Sequence, residues 1–163
     1  SGAKLVTGVA AAEPLGFDSA KRCARIIDAT KLRQLRSEGW LILDVGTSLE
    51  YESAHLPGAK WICRGWIDIR LPELFPERSQ PIVLTCADGQ QSFFAARQLA
   101  QVGYSDVQVL DGGVRNWTAA GSDIAAGLDN CLVKTNDVVL SPSIRGSKED
   151  MLNYLNWELK LKH

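Results

Sequence analysis

Net charge is almost absent from this chain: 18 Lys and Arg stand against 19 Asp and Glu, a balance of -1. That removes the electrostatic case for nucleic acid or an anionic membrane surface as a partner. No apolar run approaches the ~18 residues of a spanning helix, and the N-terminus lacks the basic-then-apolar order of a secretory leader, so a cytoplasmic location is expected. Histidine is scarce, with only His55 and His163, and the four cysteines, Cys23, Cys63, Cys86 and Cys131, include no C-x-x-C pair. Neither a zinc site nor a disulfide framework is indicated; reduced thiols are expected, with no metal and no cofactor. What is present is 163 residues, 45% of them hydrophobic, enough for one domain with a sizeable core. The opening Ser1-Gly2, without methionine, reads as the start of a processed or excised piece.

Residues 1–22 are rich in Gly, Ala and Pro and hold no sustained period, so an arm or linker without a core element is expected up to about Ala20. Ala24-Arg25-Ile26-Ile27-Asp28 reads as a short strand, followed by a helix capped by Thr30 and stopped at Gly39. Leu41-Ile42-Leu43-Asp44-Val45 and Pro81-Ile82-Val83-Leu84-Thr85 are apolar throughout, the mark of strands covered on both faces. Ser48 is placed as the cap of a short helix carrying Leu49 and Tyr51. Ala59 to Cys63 and Val107 to Leu110 read as further strands. Ala95, Leu99 and Val102 give one face of a helix that Gly103 ends. Strands alternating with helices predict an α/β domain with a parallel sheet and helices on both faces. Residues 122–163 form an extension ending in an amphipathic helix, with Ser147 and Asp150 as its capping signature and Met151, Leu152, Leu155 and Leu159 as its stripe. Tyr154, Trp157 and Leu161 widen that stripe, so this helix either packs deeply on the domain or touches a neighbour.

Cys86 ends one of the buried strands, and the helix begins only a few residues later. The loop Cys86-Ala87-Asp88-Gly89-Gln90-Gln91-Ser92 is thus a tight strand-to-helix turn with a thiol at its mouth, at the end of a parallel sheet where ligands bind. Amides at a helix start favour negative charge, and the thiolate is the reactive form of cysteine. Gly89 lets the backbone curl around the sulfur and Ser92 is placed to cap the helix. Such a cradle would hold a thiolate or a persulfide without any charged side chain.

Here the sequence resembles the rhodanese family of sulfurtransferases. The resemblance rests on Leu43-Asp44-Val45 with Glu50-Tyr51, Ala54-His55-Leu56-Pro57-Gly58-Ala59, the Cys86 to Ser92 loop, Gly103-Tyr104, and Asp111-Gly112-Gly113 with Trp117, in that order. It implies an open, parallel, five-stranded sheet over residues 23–121. It also implies that Cys86 takes a sulfane sulfur from a small-molecule donor or a protein persulfide, and that Ala87, Asp88, Gly89, Gln90, Gln91 and Ser92 surround it. The sulfur would pass to cyanide or another thiol. The softer likeness of the tail to segments of multi-domain bacterial relatives implies neighbouring rhodanese domains in a longer chain.

Two departures shape the expectation. Many relatives carry a basic residue in the loop, whereas this loop has Asp88 and Gln91, so a dianionic donor such as thiosulfate is disfavoured. Gly46 stands where an arginine is common. Arg64 is the candidate for a positive charge near the loop, and Trp66 for its rim. His55 is read as structural, its ring bonded to backbone near Pro57, and Asp44 as a buried, hydrogen-bonded strand-end residue. Two rival functions remain: a related phosphatase, which needs a longer loop closed by an arginine, and a non-catalytic rhodanese-like binding or regulatory module.

Overall fold

The computed structural model describes residues 15–138 and 148–160. The proposed arm up to residue 14, and Ser147, lie outside the described residues. Five strands form one parallel sheet: β1 Arg25–Ile27, β2 Leu41–Asp44, β3 Lys60–Trp61, β4 Ile82–Thr85 and β5 Val107–Leu110. Their order is β1-β5-β4-β2-β3, which makes β4 central, and all four of its residues are buried. The helices are α1 Phe17–Cys23, α2 Ala29–Ser37, α3 Ser48–Ser53, α4 Ile67–Leu74, α5 Gln90–Gln101, α6 Gly113–Ala119 and α7 Lys148–Lys160, with a 3-10 turn Arg64–Trp66 leading into α4.

Alternation along each strand divides the core in two. Leu43, Val45, Ile82, Leu84 and Val109 point to one face and pack with Ile67 and Leu71 of α4 and Phe93, Ala95 and Leu99 of α5. Ile42, Val83 and Leu110 point to the other, against Leu32 and Leu35 of α2 and Val114 and Trp117 of α6. Helices on both faces and an all-parallel sheet are the α/β arrangement that the uninterrupted apolar strands predict.

Several local expectations are corrected. The segment read as an arm holds α1: Ala20 is buried, and Phe17 meets Phe93 edge-on at 5.4 Å between ring centroids. Asp28, not Thr30, caps α2, its carboxylate accepting the Lys31 N–H at 2.8 Å. Thr47, not Ser48, caps α3 in a reciprocal box: Glu50 Oε2 accepts the Thr47 N–H at 2.8 Å, and the Thr47 hydroxyl accepts the Glu50 N–H at 3.3 Å. Residues 122–138 lie back on the domain. Trp117 Nε1 donates to the Asp123 carbonyl at 2.8 Å, Ala125 pairs with His55, Cys131 pairs with Trp61, and Asp137 Oδ2 accepts the Ser48 N–H at 2.9 Å. On α7, Met151, Leu152, Tyr154, Leu155, Trp157 and Leu159 are all exposed, so the helix does not pack deeply on the domain.

Candidate active site

From the carboxyl end of β2 the chain leaves through α3 towards β3, and from the adjacent end of β4 it leaves through α5 towards β5. The two connections diverge and leave a crevice between the strand ends, the place where open parallel sheets bind ligands. Cys86 stands in it, 1% exposed. Its loop is seated on the start of α6: the Cys86 carbonyl accepts the Val114 N–H at 2.9 Å and the Ala87 carbonyl accepts the Arg115 N–H at 3.1 Å.

Inside the loop, Asp88 Oδ1 accepts the Gln90 N–H at 2.9 Å and lies 3.9 Å from the Cys86 sulfur. Gly89, at φ 87°, occupies the cap position of α5 and supplies no side chain. Ser92 therefore does not cap the helix as expected; it is the helix's third residue, buried, and its hydroxyl has no hydrogen-bond partner among the described residues. Burial pushes the Cys86 thiol pKa up, and the negative charges of Asp44 and Asp88 push in the same direction. The Ser92 hydroxyl and amide pull it down by hydrogen bonding to the anion. The Ser92 hydroxyl, unpartnered among the described residues, is the donor that anion formation would engage.

Arg64 reaches the loop. Its Nε donates to Gln91 Oε1 at 2.6 Å and its Nη1 to Gln98 Oε1 at 3.4 Å, and the guanidinium lies 5.7 Å from the Phe94 ring centroid. The cation is thereby held against α5 and occupied by side-chain amides. Trp66, half-exposed, lines a different cleft with Arg70, Val133, Lys134 and Asn136, and none of those is a residue of the Cys86 loop. His55 is buried and stacked on Tyr51 at 3.8 Å, and its Nδ1 bonds the Tyr51 carbonyl at 2.7 Å. Its backbone partner is thus one helical turn upstream rather than near Pro57. Asp44 is buried and accepts the Gly46 N–H at 2.9 Å. Among the described residues no cluster of His, Cys, Asp and Glu could hold a metal, and no helix is long and apolar enough to cross a membrane.

The rhodanese-like domain family model matches residues 28–120, more than half of the chain. The chain belongs to the rhodanese family. It is 34% identical over 95 residues to the thiosulfate sulfurtransferase GlpE of Pseudoalteromonas translucida, covering 58% of this chain and 89% of that one. It is 35% identical over 92 residues to the putative sulfur carrier protein YrkF of Bacillus subtilis, covering 56% of this chain but 49% of that protein. A crystal structure of a thiosulfate sulfurtransferase from Pseudomonas aeruginosa superimposes with a TM-score of 0.74 at 31% identity, over 85% of this chain and 26% of that one. The chain therefore spans about a quarter of that larger protein.

Within this rhodanese domain, Gly46 brings the backbone close to Asp44, Glu50 and Cys86. A Cβ there would sit 3.1 Å from Glu50 Oε2, 3.2 Å from Asp44 Oδ1 and 3.6 Å from Cys86 Cβ. With no cation between the carboxylates, burial and the nearby Glu50 raise the Asp44 pKa to about 7. Unfolded, Asp44 releases its proton near the ordinary carboxylate value of 3.8; folded, it keeps it to about 7. Between those values the unfolded chain binds fewer protons, so stability falls as pH rises from about 4 to about 7, by about 4 kcal/mol at most, and levels off above. Asp44→Asn keeps the acceptor for Gly46 and removes the titration. Urea unfolding across pH 4 to 8 is expected to show a flatter profile for Asp44→Asn than for wild type; parallel profiles would refute the assignment.

Sequence reasoning sought the site's cation in the loop and at Arg64. It missed Arg115, which follows the Gly112-Gly113 turn and lies beside Ala87. The signal was available: the Asp111-Gly112-Gly113 turn places the next helix against the loop, so its first residues are the loop's neighbours.

Proposed function

We propose that this rhodanese domain is a sulfurtransferase that carries a sulfane sulfur as a persulfide on Cys86. The observation that carries the reading is a thiol at the crevice of the sheet, enclosed by its own loop, with the Ser92 hydroxyl free to bond an anion. The Cys86 proton leaves to solvent, and the thiolate attacks the outer sulfur of the donor. The donor's S–S bond breaks, its remaining part departs with the electron pair, and Cys86 holds S–S⁻. An acceptor thiolate or cyanide then takes the outer sulfur, and Cys86 leaves as the thiolate. The buried Ser92 hydroxyl and amide stabilise the anion in both halves without a cation in the loop. Incubating the protein with an organic persulfide and mapping its peptides by mass spectrometry tests this. One added sulfur on Cys86, removed by cyanide, is expected; no added sulfur with any donor leaves a binding module. The phosphatase reading lacks support, because the loop contains no arginine and Arg64 is bound to Gln91.

Donor choice follows from charge. Asp88 lies 3.9 Å from the sulfur, and a like charge at that range costs about 1 kcal/mol even when well solvated. A dianionic donor such as thiosulfate is therefore used poorly. Asp88→Asn is expected to raise kcat/KM for thiosulfate about fivefold, with a smaller change for an uncharged organic persulfide. Equal changes for both donors would refute the electrostatic account.

A further inference from the structure

A groove of about 420 Å³ opens beside the Cys86 loop, between α3 and α6. Leu49, Ala54, Ala87 and Val114 line it with apolar surface, Glu50 bounds it on the α3 side and Arg115 on the α6 side. It adjoins the nucleophile by two routes. Ala87 is the next residue after Cys86, and a Cβ placed on Gly46 would lie 3.1 Å from the Glu50 carboxylate and 3.6 Å from Cys86 Cβ. The charges at its edges differ in their commitments. Glu50 Oε2 already accepts the Thr47 N–H and hydroxyl, both at 2.8 Å. Arg115 is exposed, and its guanidinium has no hydrogen bond or ion pair among the described residues, where the ion pairs are Arg25–Asp106 and Arg70–Glu73. Arg64, by contrast, is held by Gln91 and Gln98.

We propose that Arg115 binds the carboxylate of a small organic thiol or persulfide whose aliphatic part lies in this groove, and so determines which substrates exchange sulfur with Cys86. The proposal rests on the sulfurtransferase reading for its purpose but not for its geometry. The volume falls in the range of small-molecule sites and far exceeds the few atoms of an inorganic sulfur anion. The apolar lining suits a carbon chain. The free guanidinium suits a carboxylate, which it grips in bidentate fashion more tightly than a neutral amide. Its backbone N–H on the Ala87 carbonyl seats the start of its helix on the residue next to Cys86.

Thiol–disulfide exchange isolates this recognition from sulfur transfer. The Cys86 thiolate attacks one sulfur of 3,3′-dithiodipropionate, the reagent's S–S bond breaks, one mercaptopropionate leaves as thiolate, and Cys86 holds the other as a mixed disulfide. The uncharged 3,3′-dithiodipropionamide reacts by the same step. Peptide mapping follows Cys86 alone in the wild-type chain. The expected result is a faster reaction with the dicarboxylate, a preference that falls about tenfold in Arg115→Ala and recovers in part in Arg115→Lys. A preference that is absent in wild type, or unchanged in Arg115→Ala, overturns the proposal, as does a Cys86 that reacts with neither reagent. If the preference holds while no donor loads sulfur on Cys86, the groove stands and the sulfurtransferase reading falls.

Discussion

Cys86→Ser is expected to eliminate sulfur loading and to lower turnover by at least about a thousandfold with every donor. A serine hydroxyl at this position is scarcely ionised at neutral pH, and its oxygen does not form a stable link to sulfane sulfur. The other thiols offer no replacement. Cys23 is exposed on α1, while Cys63 precedes the 3-10 turn and Cys131 pairs with the end of β3. None has the Cys86 loop or the Ser92 hydroxyl around it. The variant should fold, because the change swaps one small buried atom for another at a cost of about 1 kcal/mol. Thermal unfolding alongside a sulfur-transfer assay separates the two effects. Turnover persisting in a folded Cys86→Ser chain would place the sulfur carrier elsewhere.

Legibility in the sequence followed the length scale of the physics. β2, β4 and β5 were readable because burial on both faces demands unbroken apolar runs, and α5 because its apolar residues recur at helical spacing. The Cys86 loop was readable for the same reason: it is what lies between the two. Caps were less so. Asp28 and Thr30, or Thr47 and Ser48, are neighbouring polar residues, and the choice between them is made by one hydrogen bond at a particular backbone angle. α1 was lost because its packing is tertiary, supplied by Phe93 far along the chain, while its own surroundings are Ala and Gly. Arg64 was placed near the loop, but its capture by Gln91 depends on two segments 27 residues apart meeting in one geometry. Arg115 shows the opposite case, a residue whose position is fixed by a local turn and whose lack of a side-chain partner among the described residues only their full set of contacts establishes.

Gly113→Ala is expected to damage both stability and sulfur loading, more than any other glycine replacement in the domain. Gly113 sits at φ 59°, where an L side chain costs about 1–2 kcal/mol. Its added Cβ would also overlap the Cys86 carbonyl oxygen and come within 2.7 Å of the Gly89 amide nitrogen. Those are backbone atoms with no rotamer to move aside, so the loop itself must shift. The shift breaks the bonds that seat it, Val114 N–H to the Cys86 carbonyl and Arg115 N–H to the Ala87 carbonyl, each worth about 1 kcal/mol. A total of about 3–4 kcal/mol follows. Gly121→Ala is the matched control: its φ of 71° is equally unfavourable, yet a Cβ there meets nothing within 4 Å, so it loses only the conformational part. Denaturant unfolding should separate the two variants by at least about 2 kcal/mol, and the residual folded Gly113→Ala protein should load sulfur slowly, because the loop that carries Cys86 is no longer seated on α6. Equal stabilities for the two variants would mean that the Cys86 loop tolerates displacement from α6, and that the two glycines of the Asp111-Gly112-Gly113 turn serve the turn and not the seating of that loop.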